Sequence, residues 1–168
     1  MKVYNFLFVL PKGNSKYNLG ALEHSTSSVY FLREGPLQEI SYLVKDIGAH
    51  EFFHTWNVER IRPKELEPFN FMGANMTPNL WLAEGFTTYY TNLLIRRANE
   101  RDHNEYLDDL ATIVNQAYHM RGRLYKTPEG ASQFATFTDA GVSIDKTNYR
   151  NIFFSYYTYG RAVGLALD

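Results

Sequence analysis

The stretch GAHEFFHTWNVERIRP, residues 48–63, contains two histidines four positions apart, with a glutamate directly after the first. Residues i and i+4 of a helix lie on one face about one turn apart. His50 and His54 can therefore each direct one imidazole nitrogen at a single ion, with Glu51 beside it. The spacing predicts a metal site on a helix.

The helix that carries this motif is predicted to begin at Gly35-Pro36, because proline is favoured in a first helical turn, and to run to about Val58. An apolar stripe with spacings of three and four leads directly into the motif. Two imidazoles and a carboxylate in such a stripe carry a large desolvation cost unless a cation compensates them. The residues of the stripe are Leu37, Ile40, Val44 and Ile47.

Composition limits the class of protein and the choice of metal ligands. The chain has 168 residues, 45% of them hydrophobic, which is the size and composition of one globular domain. Its net charge of -1 gives no indication of a nucleic-acid partner. There is no cysteine, so any metal must be held by His, Asp or Glu.

The N-terminal sequence MKVYNFLFVLPKG has a lysine before an apolar run, as a short signal peptide does. Asn5 interrupts the run and a small-residue cleavage site is missing, so a strand over residues 3–10 is the better interpretation. A second strand is predicted over residues 24–34. No segment approaches the roughly 20 apolar residues of a membrane span. The sequence indicates neither compartment nor oligomeric state.

Three further helices are expected after the motif. The first has Thr77 as N-cap and extends to about Glu100, and the second covers residues 104–120. Residues 121–133 are predicted to be a loop. The last helix is predicted to begin at 151 and to reach the final residue without a stop signal, as expected of a piece of a longer protein.

A catalytic zinc site has three protein ligands, so the two histidines need a third. Glu84 lies in the apolar and aromatic sequence NLWLAEGFTTYY, where an unpaired carboxylate would be unfavourable. We predict Glu84 as the third ligand; the alternative is an ion pair with Arg62 or Arg60. Asn57 and Thr88, close to ligands in sequence, are candidates for orienting them.

The motif HEFFHTWNVERIRP followed by LWLAEGFTTYY resembles the catalytic core of the glycyl aminopeptidase family, zinc peptidases of the thermolysin-like, gluzincin type. The tail SYYTYGRAVGLALD is also similar, and the resemblance extends from about residue 18 to 168. It implies an α+β zincin domain, with short N-terminal antiparallel strands before a mainly helical part. It further implies one Zn²⁺ ion held by His50, His54 and Glu84, with Glu51 as the catalytic base.

The resemblance also assigns substrate-binding residues. NLGALEH, residues 18–24, is similar to the G-x-M-E-N strand of related aminopeptidases, which implies that Glu23 meets the free α-amino group of a peptide. An edge strand containing Gly20 and Ala21 can pair with that peptide through main-chain hydrogen bonds. The alternative for Glu23 is an ordinary glutamate at a strand end.

A tyrosine near the end of the chain is a candidate for stabilising the oxyanion. Tyr157, three residues before Gly160, matches the tyrosine of a Y-x-K-G pattern in related aminopeptidases. Tyr159 replaces the lysine, and Tyr156 is adjacent. The resemblance implies a catalytic tyrosine here and leaves Tyr156 and Tyr157 both open.

Members of the family usually carry an N-terminal β-rich domain, further helices and often a PDZ-like domain. We therefore expect residues 1–168 to be a single, truncated catalytic domain. The sequence leaves its compartment open, and only the family resemblance implies a periplasmic or secreted full-length protein. The expected function is an aminopeptidase that acts on peptides with a free N-terminus and a small first residue, Gly or Ala. The alternatives are a zinc endopeptidase and a non-catalytic, zinc-stabilised module that binds peptides.

Overall fold

A computed structural model describes residues 3–12, 20–70, 72–137 and 149–168 of the chain. The fold divides into two compact units, Met1–Ile61 and Arg62–Asp168. The N-terminal unit consists of a three-stranded sheet and one long helix, and the C-terminal unit is helical. This composition confirms the predicted α+β class.

The sheet has the strand order β1-β3-β2, with β1 at Asn5–Val9, β2 at Gly20–His24 and β3 at Ser27–Phe31. β2 and β3 form an antiparallel hairpin in which Glu23 lies opposite Ser28. β1 runs parallel to β3, so the prediction of antiparallel strands was wrong for β1. The long connection from β1 to β3 permits a parallel pairing, which a tight turn cannot.

The strands predicted over residues 3–10 and 24–34 correspond to β1 and β3, and both are shorter in the structure. Part of the difference is the turn at residues 25–26, which separates β2 from β3. Every residue of β1 is exposed, whereas Ser28 and Tyr30 of β3 are fully buried. The central strand therefore provides the buried part of this sheet.

Helix α1 (Leu37–Phe53) follows Pro36, as the sequence predicted. Along the apolar stripe, Leu37 is 71% exposed and Ile40 is 5% exposed, and Val44 and Ile47 are half-buried. The helix ends before the predicted Val58, and residues 54–60 continue as hydrogen-bonded turns.

The C-terminal unit contains a π-helix, Trp81–Phe86, that continues directly into α2 (Thr87–Arg97). Thr77 does not cap this helix itself: its hydroxyl accepts the N–H of Asn79 at 3.1 Å, and the helix starts later. The other helical elements are the short 3-10 turns Lys64–Leu66, Arg121–Leu124 and Ala135–Phe137, and the helices α3 (His103–His119), α4 (Pro128–Gln133), α5 (Tyr149–Ile152) and α6 (Tyr156–Leu167).

Two predictions in this unit were wrong for local reasons. Residues 121–133 are not a loop, because Thr127 accepts the N–H of Gly130 at 3.0 Å and starts α4 with Pro128 in its first turn. The last predicted helix is two helices, because Ser155 caps α6 by accepting the N–H of Tyr157 at 3.2 Å.

The core of the C-terminal unit forms where α6 packs against the π-helix, α2, α3 and α4. No helix in the described ranges has the length and hydropathy needed to cross a bilayer. The buried apolar residues of the core are Ala83, Tyr89, Ile95, Tyr106, Ile113, Ala131, Phe153, Phe154 and Tyr156.

Candidate metal centre

The two histidines of the motif lie together at the end of α1. The His50 and His54 rings are nearly perpendicular, with centroids 4.7 Å apart, and their Nε2 atoms are separated by 3.0 Å. His54 is 2% exposed and His50 is half-buried. The predicted pairing of these imidazoles on one helix face is therefore observed.

A backbone carbonyl fixes the orientation of His54. The carbonyl oxygen of Asn57 lies 2.7 Å from Nδ1 of His54. Because a carbonyl only accepts, Nδ1 carries the proton and the lone pair of Nε2 points toward His50. Asn57 can reach this position because α1 ends at Phe53 and the chain turns back on itself.

This arrangement fits a divalent cation. Two nitrogens that each lie about 2.0–2.1 Å from one zinc ion can be at most about 4 Å apart. The separation of 3.0 Å between the Nε2 atoms of His50 and His54 meets that limit. A carbonyl on the other nitrogen is also the usual outer partner of a metal-binding histidine. The donor set and its orientation therefore suit zinc.

Two carboxylates accompany the histidine pair within the N-terminal unit. Glu51 is 7% exposed, and Glu23 is half-buried on β2. One oxygen of each carboxylate and one ring nitrogen of His54 lie within 4.8 Å of one another. The hairpin thus brings Glu23 to the motif helix. Gly20 and Ala21 lie on the same strand, at one edge of the described sheet.

The tyrosines near these carboxylates are held in their neutral form. Burial raises the pKa of Tyr4, and the charges of Glu51 and Glu23 raise it further. Burial also raises the pKa of Tyr30 to about 12, against the opposing effect of its hydrogen bond with Ser28. The surroundings of the Glu51 carboxylate therefore disfavour further negative charge.

Glu84 lies half-buried in the π-helix of the C-terminal unit. π-helical turns are rare and occur frequently at functional sites. The hydroxyl of Thr88 donates to the backbone carbonyl of Glu84 at 2.8 Å. Arg62 pairs with Glu67 at 2.6 Å, and Arg60 donates to the carbonyl of Thr55, so both arginines considered for Glu84 have other partners.

The candidate tyrosines lie in the first turn of α6. Tyr156 is 6% exposed and Tyr157 is half-buried, and their rings stack with centroids 4.9 Å apart. Tyr159, at the position of the family lysine, donates to the carbonyl of Lys126 at 2.6 Å. Burial raises the pKa of Tyr159. Tyr159 is therefore a structural hydrogen-bond donor and not a substitute for a charged lysine.

The structure also shows contacts that the sequence analysis missed. α6 crosses the π-helix where Gly160 meets Gly85: a Cβ on Gly160 would lie 2.6 Å from the Cα of Gly85. On another side, the buried Ser132 of α4 accepts the N–H of Trp81 at 3.0 Å. The glycine in the sequence AEGF was a signal for the first contact. Nothing in the sequence around Ser132 indicated the second.

Comparison with known proteins agrees with the resemblance seen in the motifs. No curated protein sequence matches the chain. The solved structure of an aminopeptidase N family protein from Idiomarina loihiensis is similar, with a TM-score of 0.79 and 24% identity over 98% of this chain. The chain spans only 28% of that protein, and likeness at this identity shows the fold alone.

The sequence pattern of one protein family matches more than half of the chain, and this match is sufficient to assign the family. The match extends over residues 44–163, which include the H-E-x-x-H motif, the π-helix with Glu84 and the start of α6. The pattern describes the M61 glycyl aminopeptidases. This chain is a member of the M61 glycyl aminopeptidase family.

Proposed function

We propose that the chain supplies the zinc-binding and catalytic residues of an aminopeptidase that removes small N-terminal residues, Gly or Ala, from peptides. The observation that carries the proposal is the histidine pair. The Nε2 atoms of His50 and His54 lie 3.0 Å apart, and the Asn57 carbonyl holds the proton of His54 on Nδ1. Two imidazole lone pairs so arranged favour a shared cation.

The proposed zinc ligands are His50, His54 and Glu84, and the proposed base is Glu51. Zinc held by these residues would supply Lewis-acid chemistry, polarising the scissile carbonyl and lowering the pKa of a water toward about 7. Glu51 would accept a proton from the attacking water and deliver it to the leaving amine. Its burial, with 7% exposure, supports this role because bulk water does not compete for the proton.

Glu23 is the proposed receptor for the α-amino group of the substrate. Its carboxylate shares a small volume with that of Glu51, so the two negative charges favour a cationic group between them. An extended peptide that pairs with β2 at Gly20 and Ala21, on the edge of the described sheet, would have its N-terminus brought to the end of the strand. Small side chains at both positions leave room for that approach.

The proposed oxyanion donor is Tyr157, which is half-buried, whereas Tyr156 is 6% exposed and belongs to the core. A single oxyanion donor contributes about 3 kcal/mol to transition-state stabilisation. We therefore expect Tyr157→Phe to lower kcat by about 10²-fold and Tyr156→Phe to affect mainly stability.

The test is to measure zinc content and the hydrolysis of glycyl and alanyl amides before and after chelation. Glu51→Gln should retain zinc and abolish turnover, whereas Glu84→Ala should lose metal affinity. Glu39→Gln is the matched control, since it changes an exposed glutamate in the first turn of the same helix. Full zinc occupancy in Glu84→Ala would refute the assignment of that ligand.

A second pair of substrates separates the aminopeptidase from the alternatives. Glu23→Ala should selectively weaken cleavage of peptides with a free N-terminus. Cleavage of acetylated peptides at the same rate as free ones would instead indicate an endopeptidase. Zinc binding without cleavage of either would favour a module that only binds peptides.

A further inference from the structure

We propose that Gly160 and Ser132 are positioning residues that hold the π-helix in the conformation that presents Glu84. The proposal rests on the function proposed above, in which Glu84 binds zinc. Gly160 acts through a backbone contact from α6, and Ser132 through a hydrogen bond from α4. Neither residue is proposed to bind the ion itself.

The contact of Gly160 is between backbones. A Cβ at this position would overlap the carbonyl of Trp81, and it would lie 2.6 Å from the Cα of Gly85. Gly85, directly after Glu84, meets Gly160 reciprocally, since its own added Cβ would lie 2.8 Å from the carbonyl carbon of Gly160. Because backbone atoms cannot rotate away as a side chain can, any larger residue must displace the π-helix from α6.

Ser132 restrains the same turn at its start. Its hydroxyl accepts the N–H of Trp81 at 3.0 Å and donates to the carbonyl of Pro128 at 2.9 Å. The serine is fully buried, so water does not replace these bonds if the hydroxyl is removed. The first N–H groups of a helix have no partner within it, and Ser132 supplies one from another element.

Both contacts act on Trp81–Phe86, the six residues that include Glu84. A metal ligand must be held close to its productive position, and partners that orient a ligand typically change metal affinity by about 10- to 100-fold when they are mutated. Gly160 and Ser132 therefore act on metal affinity through the backbone of the turn, as well as on folding.

The experiment measures the zinc Kd by competition with a chelating dye, at a temperature where circular dichroism shows every variant to be folded. The variants are Gly160→Ala and Ser132→Ala in the whole chain. Gly122→Ala is the matched control: its Cβ would also crowd backbone, but its nearest atoms would be those of Phe153 and Phe154 and not those of the π-helix. Glu84→Ala is the reference for loss of the ligand.

We expect Gly160→Ala and Ser132→Ala to raise the Kd by about 10- to 100-fold, and Gly122→Ala to lower thermal stability with the Kd unchanged. Equal Kd values for Gly160→Ala, Ser132→Ala and Gly122→Ala would overturn the proposal. If Gly160→Ala does not fold, Ser132→Ala decides alone, because it only removes an atom. An unchanged Kd in Glu84→Ala would instead refute the proposed function, so the two failures are distinguishable.

Discussion

Glu51 and Glu23 lie close together, and the repulsion between their charges leads to a prediction about the stability of the metal-free protein. Their carboxylate oxygens lie within 4.8 Å. At an effective dielectric constant of about 20, two unit charges at that distance repel by about 3.5 kcal/mol. Solvent near the half-buried Glu23 reduces this value, and we expect about 1–3 kcal/mol of repulsion in the metal-free protein. Glu51→Gln should therefore stabilise the metal-free fold while it abolishes turnover.

The assay is urea unfolding in the presence of a chelator for the wild type, Glu51→Gln, Glu23→Gln and the double variant. Each single change should raise the free energy of unfolding. The double variant should gain less than the sum of the two, by about 1–3 kcal/mol, because the same repulsion is removed only once. Saturating zinc should shrink the gain, since a cation compensates the carboxylates. Additive effects, or a loss of stability in both single variants, would refute the reasoning.

Three further variants test the ionisation of Tyr30, the packing of Ile113 and the helix cap formed by Ser155. Tyr30 has its pKa raised from 10.0 to about 12, so its contribution is complete below pH 10 and is lost between pH 10 and 12. Between pH 10 and 12 the free energy of unfolding of the wild type, measured by urea denaturation, should fall by about 2–3 kcal/mol more than that of Tyr30→Phe. Ile113→Ala, at a position 1% exposed, should cost about 2–5 kcal/mol of unfolding free energy, measured in the same way. Ser155→Ala removes the N-cap of α6 and should cost about 1 kcal/mol, with Ser155→Gly losing less in the same denaturation series.

The parts of the fold that depend on local signals were predictable from the sequence. Pro36 marked the start of α1, and the spacing of His50 and His54 placed both imidazoles on one face. The apolar surroundings of Glu84 singled it out, although its role as a ligand stays a prediction. In each case the signal lies within a few residues of the feature it predicts, which is where propensity and periodicity are informative.

The parts that depend on tertiary contacts were not predictable. The parallel pairing of β1 with β3 depends on the long connection between these two strands. The composition of the strands themselves does not indicate it. The π-helix has no distinctive composition: it is maintained by contacts with Gly160 and Ser132, which are distant in sequence. The sequence TPEG contains the N-cap Thr127 followed by a proline, which is a local helix-start signal. The prediction of a loop did not take this signal into account.

The π-helix also determines how tolerant this segment is to changes in chain length. A π turn holds more residues than an α turn, and it can be regarded as one extra residue accommodated within a helix. Each residue of an α-helix turns the chain by about 100°. Deleting one residue from Trp81–Phe86 would convert this turn to α geometry in continuity with Thr87–Arg97 and would leave the register of the chain on either side unchanged. The same deletion within Thr87–Arg97 would rotate the chain beyond it by about 100°, so the loss of a single residue is easier to accommodate in the π-helix than in the helix that follows.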